Sequence, residues 1–177
     1  CAEYGLEMFR PGPMCPTGRG DESLTPANDD LVWLVKELDR KVKDSGLDVS
    51  VDIARFFSLS LHGINYSCGA CVSSLSIDSN GDIYPCNSAH NAEFKSGNIR
   101  EQSLKEIWDN SPVFTEWRKV SVNTISKCSS CVWKMFCRGG CRMNAYSKHG
   151  TINAPDIYCD SYATLFEDTL WEYGSRI

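Results

Sequence analysis

Apolar residues recur along the chain with two periods, and the change from one to the other marks its organisation. Residues 1 to 57 read as α/β. A short apolar run, "GLEMF", stops at the turn-rich "RPGPMCPTGRGDES", whose three prolines and three glycines preclude regular structure. Leu31, Leu34, Val35, Leu38 and Val42 then fall on one face at helical spacing, with Thr25 placed to cap the helix, Pro26 at its first position and Gly46 ending it. Leu47, Val49, Val51 and Ile53 alternate with polar residues, the period of a half-buried strand. Strand, helix and strand in that order resemble one unit of a parallel α/β layer, which is too little sheet to stand alone.

From about Leu59 onward the pattern breaks into short elements between cysteines. "LSIDSNGDIY" alternates on both sides of "SNG" and predicts a β-hairpin. Ser103 with Glu106 forms a capping-box pattern opening "SLKEIWDN", and Ser111 followed by Pro112 starts a second short helix through Phe114 and Trp117. The stretch from "CVWKMFC" to "NAYSK" predicts short helical turns, and "SYATLFEDTLWEY" has helical apolar spacing. Neither an internal repeat nor a low-complexity tract is present.

Composition adds one anomaly, ten cysteines in 177 residues, several times ordinary usage. Disulfides, zinc and iron–sulfur clusters all use many cysteines, and spacing separates them. The N-terminal "CAEYGLEMFRPGPMC" has neither the basic region nor the apolar run of a signal peptide, and no stretch approaches the ~20 apolar residues of a membrane span. A reducing, cytoplasmic setting without a membrane partner is the expectation, which favours metal over disulfides. The chain starts at Cys1 inside a strand-like run, so it reads as a piece of a longer protein.

Charge points the same way. From Trp117 to Pro155 there is no Asp or Glu, while Arg118, Lys119, Lys127, Lys134, Arg138, Arg142 and Lys148 give +7; set against a chain total of −5, this leaves −12 on the rest. The basic block coincides with the densest cysteines.

Eight cysteines form a series: Cys68-x2-Cys71, then Cys86, then Cys128-x2-Cys131-x5-Cys137-x3-Cys141, then Cys159. Eight thiolates suffice for two four-cysteine sites. A CxxC turn sets two sulfurs on one side and aims backbone N–H groups at them, and Gly139 and Gly140 let the backbone approach a bulky cluster. Zinc is the plainer metal reading, since Cys68/Cys71 and Cys128/Cys131 would close a ribbon; it leaves Cys86, Cys137, Cys141 and Cys159 in irregular spacing, which iron–sulfur proteins commonly show. Two buried anionic clusters need compensating donors, which the acid-free block supplies. Alternatives for that block are a solvated face or a nucleic-acid patch.

"CGACVSSLSIDSNGDIYPC", "SGNIREQSLKEIWDNS", "CSSCVWKMFCRGGC" and Cys159 together resemble the SPASM domain of radical S-adenosylmethionine enzymes, over about residues 68 to 159. "FRPGPMCPTGRGDESLTP" with the helix after it is similar to the last strand-to-helix segments of the partial barrel in those enzymes. The resemblance implies an α+β fold: residues 1–58 as the terminal βαβ-like unit of a partial (β/α) barrel, and residues 59–177 as a Cys-rich domain whose hairpin and short helices surround two auxiliary [4Fe–4S] clusters. It implies interleaved ligands, Cys68, Cys71, Cys86 and Cys141 for the first cluster and Cys128, Cys131, Cys137 and Cys159 for the second.

It further implies the C-terminal region of an oxidoreductase that modifies a peptide or protein, with the clusters carrying electrons or holding substrate, and an external donor such as ferredoxin or flavodoxin. Nucleic acid is not an implied partner. The CxxxCxxC motif of the radical-generating cluster is absent, so S-adenosylmethionine and a third [4Fe–4S] cluster belong to a missing N-terminal part, and this chain is not expected to be active alone. Many relatives have glycine at the position of Cys71. Sulfatase-maturing relatives place an aspartate directly after the cysteine matching Cys86; Asn87 stands here and points to another peptide modification. A free-standing two-cluster electron carrier and a zinc-ribbon nucleic-acid module are the alternatives.

Residues outside the series read as ordinary. Cys15 reads as a loop cysteine, and Cys1 also falls outside the ligand pattern. His62, His90 and His149 have no mutual spacing and read as polar residues; Trp108, Phe114, Trp117, Trp133 and Phe136 read as core and cluster shielding. Tyr84 and Arg19 are the weakest candidates for touching substrate.

Overall fold

The computed structural model describes residues 2–5, 8–9, 12–18, 20–46, 50–51 and 68–174. Cys1, Arg19, Leu47, Val49, Ile53 and His62 lie outside them. The first unit is a parallel crossover: β1 (Met8–Phe9) pairs with β2 (Ser50–Val51) in the register Met8↔Ser50 and Phe9↔Val51, with helix α1 (Asn28–Ser45) between.

α1 starts later than its caps predict. Residues 22–24 form a separate 3-10 turn, which Asp21 caps by accepting from the Ser23 backbone N–H. Thr25 closes that turn through its own N–H to Glu22 O, 3.0 Å, so its side chain caps nothing and α1 begins at Asn28 without a side-chain cap. Gly46 ends the helix at φ 64°, in the left-handed region where glycine carries no Cβ penalty.

One stripe of α1 is covered. Leu31 and Val35 are buried against Tyr158, Tyr162, Leu165 and Phe166, with Leu38 and Val32 partly buried beside them. Leu34, assigned to the same face by its spacing, is 40% exposed because it flanks the narrow seam. The partner in that seam is α7 (Cys159–Gly174), so the first unit packs on the end of the second; Ser161 Oγ also donates to Asn28 Oδ1 at 2.5 Å.

The hairpin forms as read, β3 (Ser76–Ile77) against β4 (Asp82–Tyr84), with Asp78 Oδ1 accepting from the Asn80 and Asp82 N–H groups in the turn. A third antiparallel strand, β5 (Gly97–Asn98), pairs with β4. A two-residue strand made of a glycine and an asparagine carries no alternation, which is why the sequence does not announce β5.

Short helices follow: α2 (Leu104–Asn110) with its complete Ser103/Glu106 capping box, α3 (Pro112–Lys119) with Pro112 in its first turn, α4 (Ser126–Ser129), α5 (Lys134–Cys137) and α6 (Arg142–His149). Ile83, Tyr84, Phe94, Ile107, Phe114, Trp117 and Met143 form the core between sheet and helices, and Val120, Val122, Ile125 and Cys128 a smaller one. Among the described residues no helix is long and apolar enough to cross a membrane.

Candidate metal centre

The two cysteine groups sit at the edges of these cores, on elements that the local sequence ends sharply. In the turn after Cys68, the N–H groups of Val72, Ser73 and Ser74 converge on Gly69 O at 2.9 to 3.2 Å. This places Cys71 at φ 63°, left-handed for a residue with a side chain, and fully buried. Glycine adopts that φ without penalty. Arg118 holds the turn: its Nε donates to Cys71 O at 2.8 Å, its Nη2 to Trp108 O at 2.7 Å, and its guanidinium lies 4.9 Å from the Trp108 ring centroid.

Cys86 follows β4 and Pro85, and the backbone N–H groups of Ser88 and Ala89 turn back toward its sulfur. Cys141 is the N-cap residue of α6. Burial pushes the Cys71 thiol up to about 12, with Arg118 pulling down and Cys68 and Cys86 adding to the rise. Burial likewise pushes Cys86 up to about 11, the Ser88 N–H opposing it and Cys68 and Cys141 reinforcing it. Cys68, Cys71, Cys86 and Cys141 also line one side of the first core.

In the second group Cys128 is in α4, Cys131 follows it, Cys137 ends α5 and Cys159 begins α7. Arg138 reverses the chain after α5 at φ 55°, and the Gly139 N–H donates to Cys137. Burial raises Cys128, Cys137 and Cys159; the next influences on Cys128 are Cys159, Arg142 and Cys131, and Cys137 is pushed up to about 12 with Cys159 and Cys128 among its neighbours. The eight thiols therefore act on one another in two sets that interleave along the chain. Among the described residues no three His, Cys, Asp or Glu side chains converge as around a single metal ion.

The donor sets suit a soft, anionic, sulfur-bound group, because each is all thiol and each is approached by backbone N–H or cationic groups. An orphaned donor marks the second set. Arg142 is 3% exposed; its Nη1 donates to Ile152 O and Ala154 O, both at 2.8 Å, while its Nη2 is buried without a hydrogen-bond partner and its charge acts on Cys128. A thiol held protonated by burial must release its proton on ligation, so loading of a metal group at either set would release protons.

Asp156 is the residue that spacing did not reveal. It is 4% exposed, and its carboxylate accepts from the N–H of Cys141, from Asn144 Nδ2, from the Tyr158 N–H at 2.9 Å and from Tyr162 OH at 3.2 Å. Its own carbonyl accepts from the Cys159 N–H at 3.1 Å. One buried residue thus fastens a member of each cysteine set, Cys141 through its side chain and Cys159 through its backbone carbonyl. Burial raises its carboxyl above the usual range despite those donors. Gly140 is its imprint, since a Cβ there would meet Asp156 at 2.5 Å. A lone Asp in a loop carries no sequence signal for such a role.

Other readings resolve individually. His90 stacks on Tyr84 at 4.4 Å and shares a 2.7 Å hydrogen bond with Ser76 Oγ, an ordinary polar role that also keeps Tyr84 buried rather than facing substrate. His149 sits exposed at the end of α6. Phe114 and Trp117 are core, Trp108 is half-buried under Arg118, and Trp133 packs on Phe166, but Phe136 is 45% exposed and shields only in part. Cys15, read as a loop cysteine, packs against the first core beside Cys68, Cys86 and Cys141.

With this geometry the similarities to other proteins carry weight. Residues 68–132 match the SPASM family, an iron–sulfur cluster-binding domain. The chain is 32% identical over 110 residues to the cysteine-type anaerobic sulfatase-maturating enzyme of Clostridium perfringens, covering 60% of this chain and 30% of that one. It is 29% identical over 180 residues to the AdoMet-dependent heme synthase of Methanosarcina barkeri, covering 89% and 49%. The solved structure of native anSMEcpe with bound AdoMet and Cp18Cys peptide superposes with TM-score 0.65 at 26% identity, covering 86% of this chain and 44% of that one. The chain therefore spans less than half the length of each. Residues 68–132 thus match a SPASM iron–sulfur cluster-binding domain, and the chain that carries them is similar to radical S-adenosylmethionine enzymes.

Proposed function

We propose that this chain is the auxiliary-cluster region of a radical S-adenosylmethionine oxidoreductase that modifies a peptide or protein. Residues 1–58 are the last part of its partial barrel and residues 59–177 the cluster domain. The observation that carries the reading is the match of residues 68–132 to the SPASM iron–sulfur cluster-binding domain, and the mutual influences of Cys68, Cys71, Cys86 and Cys141 and of Cys128, Cys131, Cys137 and Cys159 support two interleaved ligand sets. Each set holds one [4Fe–4S] cluster, which supplies one-electron transfer when bound. S-adenosylmethionine and the radical-generating cluster belong to a part of the protein before Cys1, and a ferredoxin or flavodoxin is the outside electron source.

The chain's own residues orient and shield. Arg118, through Cys71 O, and Asp156, through the Cys141 N–H, hold two ligands of the first set in place. Lys127, paired with Asp160 at 2.9 Å, lies beside Cys159, and Arg142 faces Cys128. Within the acid-free block Arg142 is buried beside the second set, whereas Arg118, Lys119, Lys127 and Lys148 are exposed. A peptide is the preferred substrate because the C. perfringens relative is a maturating enzyme and the anSMEcpe structure holds a peptide. Asn87, which follows Cys86, is an amide that accepts no proton at neutral pH, which favours a peptide modification other than sulfatase maturation.

Anaerobic purification tests the reading. The chain should be brown, with about eight irons and two resolvable cluster signals. Cys141→Ala should lose the first signal and keep most of the second, and Cys137→Ala the reverse. A colourless protein with stoichiometric zinc, or depletion of the same signal by both substitutions, refutes it.

A further inference from the structure

Four thiols account for the first set, yet a fifth packs against the same core. Cys15 packs on the same core as Cys68, Cys71, Cys86 and Cys141, although it comes from the turn-rich segment before α1, more than fifty residues earlier in the chain. It is held there: Thr17 N–H donates to Cys15 O at 2.8 Å, and Tyr158 OH donates across the unit boundary to Met14 O at 3.2 Å. After its own burial, the largest influence on the Cys15 thiol is Cys141, with Cys86 also acting on it.

Cys15 and Cys141 line one cavity of about 160 Å³, whose wall also includes Cys137 of the second set, Gly140, Asn144 and Tyr162. Asn144 is 4% exposed and its Oδ1 has no hydrogen-bond partner among the described residues. A buried polar atom of that kind marks a space filled in the assembled protein.

Cys71 is the weak member of the set. It is the one cysteine of the set at positive φ, 63°, a conformation that is strained for a residue with a Cβ. Cys86 adjoins both candidates, since it acts on Cys71 and on Cys15.

We infer that Cys15 is a second thiol for the fourth position of the first cluster, able to take the place of Cys71 beside Cys68, Cys86 and Cys141. This rests on the two-cluster reading above. In the exchange the Cys15 thiol releases a proton as its sulfur bonds iron, and the departing Cys71 thiolate takes one up; no electron moves and no oxidant is needed. Ligation from Cys15 would tie the segment before α1 directly to the cluster domain, joining the two units through a metal bond as well as through the α1–α7 seam.

The test compares Cys15→Ala, Cys71→Gly and the double variant in the full chain, purified anaerobically and reconstituted with iron and sulfide. Glycine is chosen at 71 because it tolerates the positive φ. Each single variant should keep about eight irons and both cluster signals, while the double variant should fall to about four and lose the first signal only. Persistence of the second signal shows that the double variant is folded. Alkylation read by mass spectrometry gives an independent answer: Cys15 should be modified in the loaded wild type and protected in loaded Cys71→Gly. Loss of the first cluster in Cys71→Gly alone, or Cys15 alkylated equally in both, overturns the inference while leaving the two-cluster reading intact. A wild type that binds no iron overturns both.

Discussion

Gly140→Ala isolates the strut that joins the two cysteine sets. Gly140 has φ +69°, so any Cβ costs about 1–2 kcal/mol from left-handed strain alone. Its Cβ would also lie 2.5 Å from both the Cβ and Oδ2 of Asp156, which cannot yield without turning away from the Cys141 N–H, Asn144 Nδ2, Tyr158 N–H and Tyr162 OH. Weakening two or three such bonds to a buried carboxylate, at about 1 kcal/mol each, brings the total loss to about 3–5 kcal/mol. Gly150→Ala is the matched control. Gly150 has φ +65° with nothing within 4 Å of its Cβ position, so only the strain, about 1 kcal/mol, should be lost. Urea unfolding followed by circular dichroism, both variants in the same metal-loading state, reads the difference. If Gly140→Ala costs no more than Gly150→Ala, Asp156 is not fixed as described.

Three further expectations concern parts that the strut does not touch. Arg118→Ala should destabilise by about 2 kcal/mol in the same assay, from two carbonyl bonds and a stacked guanidinium, and Arg118→Lys should recover less than half, because an ammonium cannot reach both carbonyls from a planar fork. Ser103→Ala removes half of the α2 capping box and should cost about 1 kcal/mol, with Ser103→Asp restoring most of it. The Lys95 ammonium and the Asn98 amide hold the Asp82 carboxyl below its usual range, so its contribution to stability is present above the unfolded carboxylate pKa and is lost as pH falls through the lower folded value. Asp82→Asn should flatten the acid limb of a stability–pH profile measured below about pH 4; an unchanged limb removes Asp82 from the account.

What the linear sequence determined is whatever has a local cause. The hairpin at 76–84, the capping box at Ser103 and Glu106 and the stop at Gly46 each follow from residues within a few positions of one another, and each is present. The cysteine series is legible for the same reason, since spacing is a local property and metal chemistry restricts it. Tertiary structure decided the rest. The start of α1 moved because Asp21 capped a competing turn, and Leu34 lost its core position because the seam with α7 is narrow. Asp156 became a junction only because the chain brought Cys141, Asn144, Tyr158 and Tyr162 around one carboxylate. Cys15 came to pack against the first core because Tyr158 holds the segment before α1 there, a contact between residues so distant in sequence that no periodicity or motif encodes it.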